Sequence, residues 1–451
     1  MQLLYWGIFM TEGNYLKVLM FSMALGTSPL AISEVLAKSL NVLTLRELES
    51  EMINQSLDIK IKSYEVDAAK EKREALPSNY IPRLTLDGNF KYLSEIPEIN
   101  MAPGRTLKFG DNKNYSIGPT LSMTIFDFNS KENFQTSLDK NLSSKENEAK
   151  GLKANILFKV RFHYLNIVFL QEKRNLISES LKVANKQLKD VIAKNRFGSG
   201  SKLDLLTAQK EVHELELQLK EINFNVTAEQ TELYKITFHQ KIKNANLIGN
   251  TNRLENLNDL QSRFMNYKQF VQDAGSNAKV KSMKDLSDSF ESHAQSISKQ
   301  RYPKINLIAR TSLDYPNGPD LTAFNQNTIG VSLSMPLFDG GEISHNVNEK
   351  NLQAMALKTQ AINEERNINE SVFLATKRIE NLQEQNEIIQ KKIDESTEIA
   401  HLMYKSYQDG RATFIEVERA NVKRRESKLS LSSNQYQIIL NLIQLANVAG
   451  E

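Results

Sequence analysis

Two kinds of hydrophobic spacing take turns along this chain. Leu84, Leu86, Gly88, Phe90 and Tyr92 interleave with Thr85, Asp87, Asn89 and Lys91, a period of two that predicts a strand. A polar loop with Pro97, Pro103, Gly104 and Gly110 follows. Ile117, Pro119, Leu121, Met123 and Ile125 then share one face of a second strand, with Ser116, Gly118, Thr120, Ser122 and Thr124 on the other. Beyond it the period changes. Ile156, Val160, His163, Ile167, Leu170, Arg174, Ile177, Leu181, Ala184, Leu188 and Val191 step by 4 and 3 alternately. Such a sustained heptad requires a left-handed coiled-coil partner. From Ser130 to Phe197 only Gly151 interrupts and proline is absent, so the helix is about 100 Å long at roughly 1.5 Å per residue.

The arrangement then recurs. Ile305, Leu307, Ala309, Thr311 and Leu313 alternate with mostly polar neighbours, Pro316 and Gly318 mark a loop, and Ile329, Val331, Leu333, Met335 and Leu337 form the next alternating face. Residues 342–408 lack both glycine and proline and carry the same heptad, from Ile368 and Val372 to Met403 and Tyr407. Ile117-Gly118 and Phe126-Asp127 reappear as Ile329-Gly330 and Phe338-Asp339, 212 positions on, and the same offset aligns Gly198 with Gly410 and Ala208 with Ala420. The helix preceding Pro82, roughly 44–78, matches the one preceding Pro303, 276–301, at an offset of 221, so the first loop is nine residues longer than its copy.

This divides the chain into a first repeat, 34–238, with strands at about 83–93 and 115–126 and a helical hairpin at about 130–238. An Asn-, Gln- and Lys-rich linker covers 239–275. The second repeat, 276–451, has strands at about 304–314 and 327–338 and a hairpin at about 341–448. Each hairpin turns at a glycine, Gly198 or Gly410, which supplies a left-handed cap, and Ser201 or Thr413 can cap the returning helix.

Composition narrows the picture. The chain has 451 residues but only 18 glycines and 10 prolines, consistent with very long helices, and a net charge of +3 with both signs interspersed, which leaves no basic stripe for nucleic acid. Cysteine is absent, so disulfides, thiolate metal sites and cysteine nucleophiles are excluded. The apolar run Leu16–Leu25, followed by Gly26, Pro29 and Ala31-Ile32-Ser33, reads as a secretory signal peptide over 1–33, with Met10 a possible true start; a buried N-terminal helix is the alternative. The six histidines share no i, i+4 ligand spacing, and Gly198-Ser199-Gly200-Ser201-Lys202 lacks the phosphate-loop spacing. No catalytic, cofactor or metal site emerges.

Strands of 10–12 residues with one apolar and one small-polar face suit a barrel wall between lipid and water, although a half-buried soluble sheet alternates in the same way. The duplicated order resembles the TolC family of outer-membrane efflux and secretion channels over roughly 44–448. The local elements that carry the resemblance are Met335-Pro336-Leu337-Phe338-Asp339-Gly340-Gly341, its degraded copy Thr124-Ile125-Phe126-Asp127-Phe128-Asn129, and the two hairpin tips. The fold expected is mainly α with a small β part. Four strands cannot close a barrel around water, and bare edges in lipid are forbidden, so strands must pair between subunits, three chains giving twelve. The resemblance implies that homotrimer, seated in outer-membrane lipid and continued by a coiled-coil periplasmic tunnel with the 239–275 linker in a belt. It also implies a periplasmic adaptor and an inner-membrane RND or ABC transporter as partners.

In the family the periplasmic tips close by packing and polar links. Asp204 and Glu416, six residues after their glycines, match its acidic positions, and Tyr407, three before Gly410, matches a linking tyrosine. Arg419 stands where leading members are acidic, and the family's linking arginine falls on Ala412, with Arg411 adjacent. Capping of the helix N-termini explains the acidic positions equally well. Phe197, Gly198, Ser199, Ser201, Leu203, Gly410 and Phe414, with Leu206 and Val417 beside them, are the adaptor-docking tips that the family implies. A non-channel periplasmic coiled-coil scaffold is the alternative function, and drug efflux is not separated from protein or peptide export.

Overall fold

The computed structural model describes residues 44–75, 81–238, 254–269 and 274–450. The expected signal peptide, 1–33, and linker residues 239–253 and 270–273 lie outside the described residues. The first described element is α1 (Leu45–Gln55), whose N-cap Thr44 accepts the Glu47 N–H through its side chain. Ser56 takes extended backbone, φ −62° and ψ 120°, so the single helix expected over 44–78 is broken into α1 and α2 (Leu57–Ala75).

Strand β1 (Arg83–Tyr92) is followed by β2 (Glu98–Ala102), β3 (Arg105–Lys108) and β4 (Lys113–Phe126). The β2–β3 hairpin occupies the stretch expected as plain loop; its runs are too short to show a period, and Gly104 at φ 81° turns it. Then come α3 (Ser130–Arg196), α4 (Lys202–Thr237), α5 (Leu257–Phe264) and α6 (Ala278–Lys299). The second half adds β5 (Lys304–Tyr315), β6 (Phe324–Ser334), α7 (Glu342–Gln408) and α8 (Phe414–Ala449). Helices α3 and α7 have 67 residues each and α4 and α8 have 36 each, with both ends of each pair offset by 212.

The large sheet is antiparallel in the order β1-β4-β5-β6, which leaves β1 and β6 as edges. Leu84, Leu86, Phe90, Ile117, Ile329, Val331 and Leu333 stand exposed on it. β6 stops at Ser334, short of the expected 338; Pro336 has no N–H to give a ladder.

The repeated Phe-Asp step is a strand-to-helix corner. Asp127 Oδ2 accepts the Lys131 N–H at 3.2 Å, and Asp339 accepts the N–H groups of Gly341 and Ile343 at 2.9 and 3.0 Å. Both corners need two left-handed residues, Phe128 and Asn129 at φ 53° and 66° in the first, Gly340 and Gly341 at 65° and 91° in the second. The degraded copy thus keeps the backbone while losing the glycines.

The chain divides into two compact units. One takes in 58–152 and 273–369 and holds the sheet; the other takes in 153–272 and 370–451 with the chain up to 57, and holds both hairpin turns. In the second unit Leu45, Leu48 and Met52 of α1 are buried with Tyr164 and Ile167 of α3 and Leu260 and Phe264 of α5. Glu49 joins Arg161 at 2.7 Å and Arg263 at 2.6 Å, tying these three helices by charge as well. Among the described residues no helix is long and apolar enough to cross a membrane.

Candidate functional site: the clasped hairpin tips

Helix α3 ends in a glycine cap, Gly198 at φ 75°, and α7 ends in the same way at Gly410, φ 76°. Ser201 Oγ accepts the Leu203 N–H at 3.1 Å and starts α4. At the other turn the Glu416 carboxylate accepts the Thr413 N–H at 2.8 Å and its hydroxyl at 3.0 Å. These bonds hold the Glu416 carboxyl below the usual carboxylate range. Glu416 is therefore engaged as a cap, with Arg419 exposed one turn on.

The two hairpins are bound together by a small core of Val191, Ala208, Tyr407, Phe414 and Val417. Tyr407 meets Phe414 edge to face at 5.4 Å, and Lys194 Nζ lies 4.4 Å above the Tyr407 ring. Around this core run polar links. Lys194 donates to the Tyr407 and Gln408 carbonyls at 2.8 and 3.1 Å, satisfying the end of α7. Asp204 accepts the Phe414 N–H at 3.2 Å and so caps α8 from α4. The Tyr404 hydroxyl donates to Asp190; burial first, and then this bond, push it well above the usual tyrosine value. Further from the tip Glu211 and Arg425 pair at 2.7 Å, both largely buried.

Of the residues expected at the gate, the structure brings Asp204 and Tyr407 into this cluster. Glu416 caps its own helix, and Arg411 pairs only with Asp409, at 2.5 Å on the surface. The Tyr407 hydroxyl, matched above to a linking tyrosine, is buried without a hydrogen-bond partner, so the ring and not the hydroxyl joins the hairpins. Phe414 and Val417, expected as docking contacts, are instead core. Phe414 is 3% exposed because it opens α8 facing Tyr407, whereas Phe197, between the end of α3 and its Gly198 cap, is 87% exposed. Leu203 and Leu206 are exposed, and Ser199 Oγ is turned back onto the Lys194 carbonyl at 3.2 Å. Sequence reasoning missed Asp190, Lys194 and Tyr404. Asp190 and Lys194 stand four apart in the last turns of α3, on one face, which was the available signal. Among the described residues no group of three His, Asp or Glu side chains could hold a metal.

An amphipathic sheet followed, in each of two repeats, by a long glycine-tipped hairpin defines the class of outer-membrane channels that join a barrel wall to coiled-coil helices. The sequence model of the outer membrane efflux protein family matches residues 48–237 and 274–451, and the chain belongs to that family. It is an outer-membrane efflux channel protein and not an enzyme. Its fold is similar to that of CusC, a channel protein, at 14% identity, with 90% of this chain and 91% of that one covered and a TM-score of 0.75. The outer membrane protein VceC of Vibrio cholerae is similar at 14% identity, over 89% of this chain and 96% of its own, with a TM-score of 0.74. The Neisseria gonorrhoeae MtrE outer membrane channel in its open state is similar at 13%, over 90% and 88%, with a TM-score of 0.71. No curated protein sequence matches this chain.

Proposed function

We propose that this chain is the exit duct of a tripartite efflux pump or type I secretion system, working as a homotrimer with a twelve-stranded barrel and a gate at its hairpin tips. The observation that carries the reading is the sheet of an outer-membrane channel with apolar residues along its strands and two bare edges, β1 and β6. In lipid those edges leave amides unpaired at several kcal/mol each, so they must meet other copies. Three four-stranded sheets reach the strand number at which a barrel holds water.

The clasp of Asp190, Lys194, Asp204 and Tyr404 supports a closed resting state, since it holds the two tips of one chain together. Opening would separate them. The exposed Phe197, Leu203 and Leu206 offer an apolar surface to a periplasmic adaptor, and an RND or ABC transporter of the inner membrane would supply the energy. Light scattering in detergent together with planar-bilayer recording tests this reading. A trimer of low conductance, rising when the clasp is cut, is expected; a dispersed monomer that forms no pore would end it.

A further inference from the structure

We propose that the corner where the strands give way to the helices binds the phosphate of one phospholipid, a glycerol-headed one, from the periplasmic leaflet of the membrane. The inference rests on the barrel reading above, with lipid against the apolar face of the sheet. A pocket of about 390 Å³ opens there, lined by Phe128, Asn129 and Asn133 about the start of α3 and by Gln295, Ser298 and Lys299 at the end of α6. That volume lies at the small end of ligand pockets, ~300–1,000 Å³. Its two walls are bound to each other. The Ser130 hydroxyl donates to the Ser296 carbonyl at 2.9 Å, and the Ser296 hydroxyl to the Ser130 carbonyl at 2.7 Å.

A bulge joins this pocket to the apolar face. Thr124 pairs with Asn306 but Phe126 pairs with Ile305, so the register shifts by one residue at Ile125. Directly opposed residues share a face. Phe126 therefore lies on the side of Ile305 and Leu307, whereas Thr120, Ser122 and Thr124 before it lie on the polar side. From Phe126 an aromatic run continues off the sheet. Phe126 meets Phe128 edge to face at 4.6 Å, Phe128 stacks on Tyr302 at 4.9 Å, and Lys299 Nζ lies 5.6 Å from the Tyr302 ring centre. At the other end of the same face Tyr115 and Tyr315 stack at 4.9 Å. From Tyr115 to Phe126 along β4 is roughly 36 Å, or about 28 Å along the membrane normal at a tilt of ~40°. Aromatic belts flank an apolar band ~25 Å tall in such barrels. The second belt, with the pocket beside it, thus stands at headgroup level.

The charge there suits a phosphate diester. Between Glu291 and Asp314 the chain carries Lys299, Arg301, Lys304 and Arg310 and no acidic residue. Lys279 and Lys284, earlier on α6, pair with Glu364 and Glu365 at 2.8 and 2.5 Å. Lys299 forms no ion pair among the described residues; its ammonium faces the Tyr302 ring. No carboxylate lines the pocket, and Asp127 of the corner is turned onto the Lys131 N–H. The amides of Asn129, Asn133 and Gln295 supply neutral donors and acceptors around the lysine. A phosphate would complete a charge-assisted bond with Lys299. An ethanolamine head would bring an ammonium that no acid in the pocket can receive, whereas the hydroxyls of a glycerol head can bond to the amides.

Native mass spectrometry of the purified protein in detergent, with phosphatidylglycerol or phosphatidylethanolamine added, tests the site. The wild type should retain phosphatidylglycerol, one molecule per chain, more strongly than phosphatidylethanolamine. Lys299→Gln should weaken that retention roughly tenfold to a hundredfold, the weight of one hydrogen bond to a charged group. Asn133→Asp, which puts a carboxylate into the pocket, should abolish the preference. Lys423→Gln, in the other unit, should leave it unchanged. Without lipid all three variants should melt within a degree or two of the wild type, as surface changes do. Phosphatidylglycerol should raise the wild-type midpoint, and inorganic phosphate alone should not. Equal retention of the two lipids, no loss in Lys299→Gln and Asn133→Asp, or an equal rise with inorganic phosphate overturns the site and leaves the channel standing. A protein that stays dispersed without detergent and binds neither lipid overturns the barrel reading, and the site with it.

Discussion

Asp204 accepts the backbone N–H of Phe414 at 3.2 Å, so a residue of the first returning helix caps the second. Side-chain caps of this kind are worth about 0.5–2 kcal/mol. Asp204→Ala should lower the midpoint of thermal unfolding by that order and raise leak conductance in planar bilayers. Asp204→Asn, which keeps an acceptor oxygen, should fall between. Unchanged leak in Asp204→Ala would remove this bond from the gate.

Lys194 and Tyr404 hold α7 by its end, Lys194 through the carbonyls of Tyr407 and Gln408. Lys194→Met and Tyr404→Phe should each increase the open probability in single-channel recordings. Tyr407→Phe should not, because the hydroxyl it removes is buried and unbonded. A leak in Tyr407→Phe equal to that in Tyr404→Phe would reverse the assignment of the clasp.

Glu416 supplies a pH dependence. The Thr413 N–H, and after it the Thr413 hydroxyl, hold its carboxyl below the ordinary value. A lowered folded pKa means that the stabilisation is present above the unfolded value, near 4.3 for glutamate, and is lost as pH falls through the lower folded one. The tip should therefore stay capped from neutral pH down past the unfolded glutamate value and loosen only in more acid solution. Leak conductance recorded against pH should rise in that acid window in the wild type, and Glu416→Gln should flatten the rise.

Phe414 and Phe197 should behave oppositely although both are aromatic residues at the hairpin tips. Phe414 is core and Phe197 is exposed. Phe414→Ala should cost about 3–5 kcal/mol of stability and open the channel. Phe197→Ala should leave the melting temperature within a degree or two, as surface changes do, and weaken adaptor binding measured by surface plasmon resonance.

The Glu211–Arg425 pair has both side chains 11% exposed. Removing one partner of such a pair leaves a buried charge and costs about 3–5 kcal/mol. Arg425→Ala should thus destabilise more than the double change Glu211→Leu with Arg425→Leu. Chemical denaturation of the three proteins orders them, and a double variant weaker than the single would contradict the reading.

Most of the architecture could be read from the sequence, because period is a local property. Alternation at Leu84–Tyr92 and heptads from Ile156 to Val191 show which faces are apolar, and an apolar face requires a strand or a coiled-coil helix to bury it. The 212-residue offset exposed the duplication, and Gly198 and Gly410 marked the turns because only a left-handed residue ends such helices well. Tertiary structure decided what depends on residues far apart in the chain. That Phe414 packs inward while Phe197 points out, that Lys194 reaches the end of α7, and that Tyr404 rather than the Tyr407 hydroxyl makes the link are all settled by which helix lies alongside which. Helical periodicity gives a side chain its face but not its neighbour, and a polar link exists only once two such faces, here 210 or more residues apart, have been brought within about 3 Å.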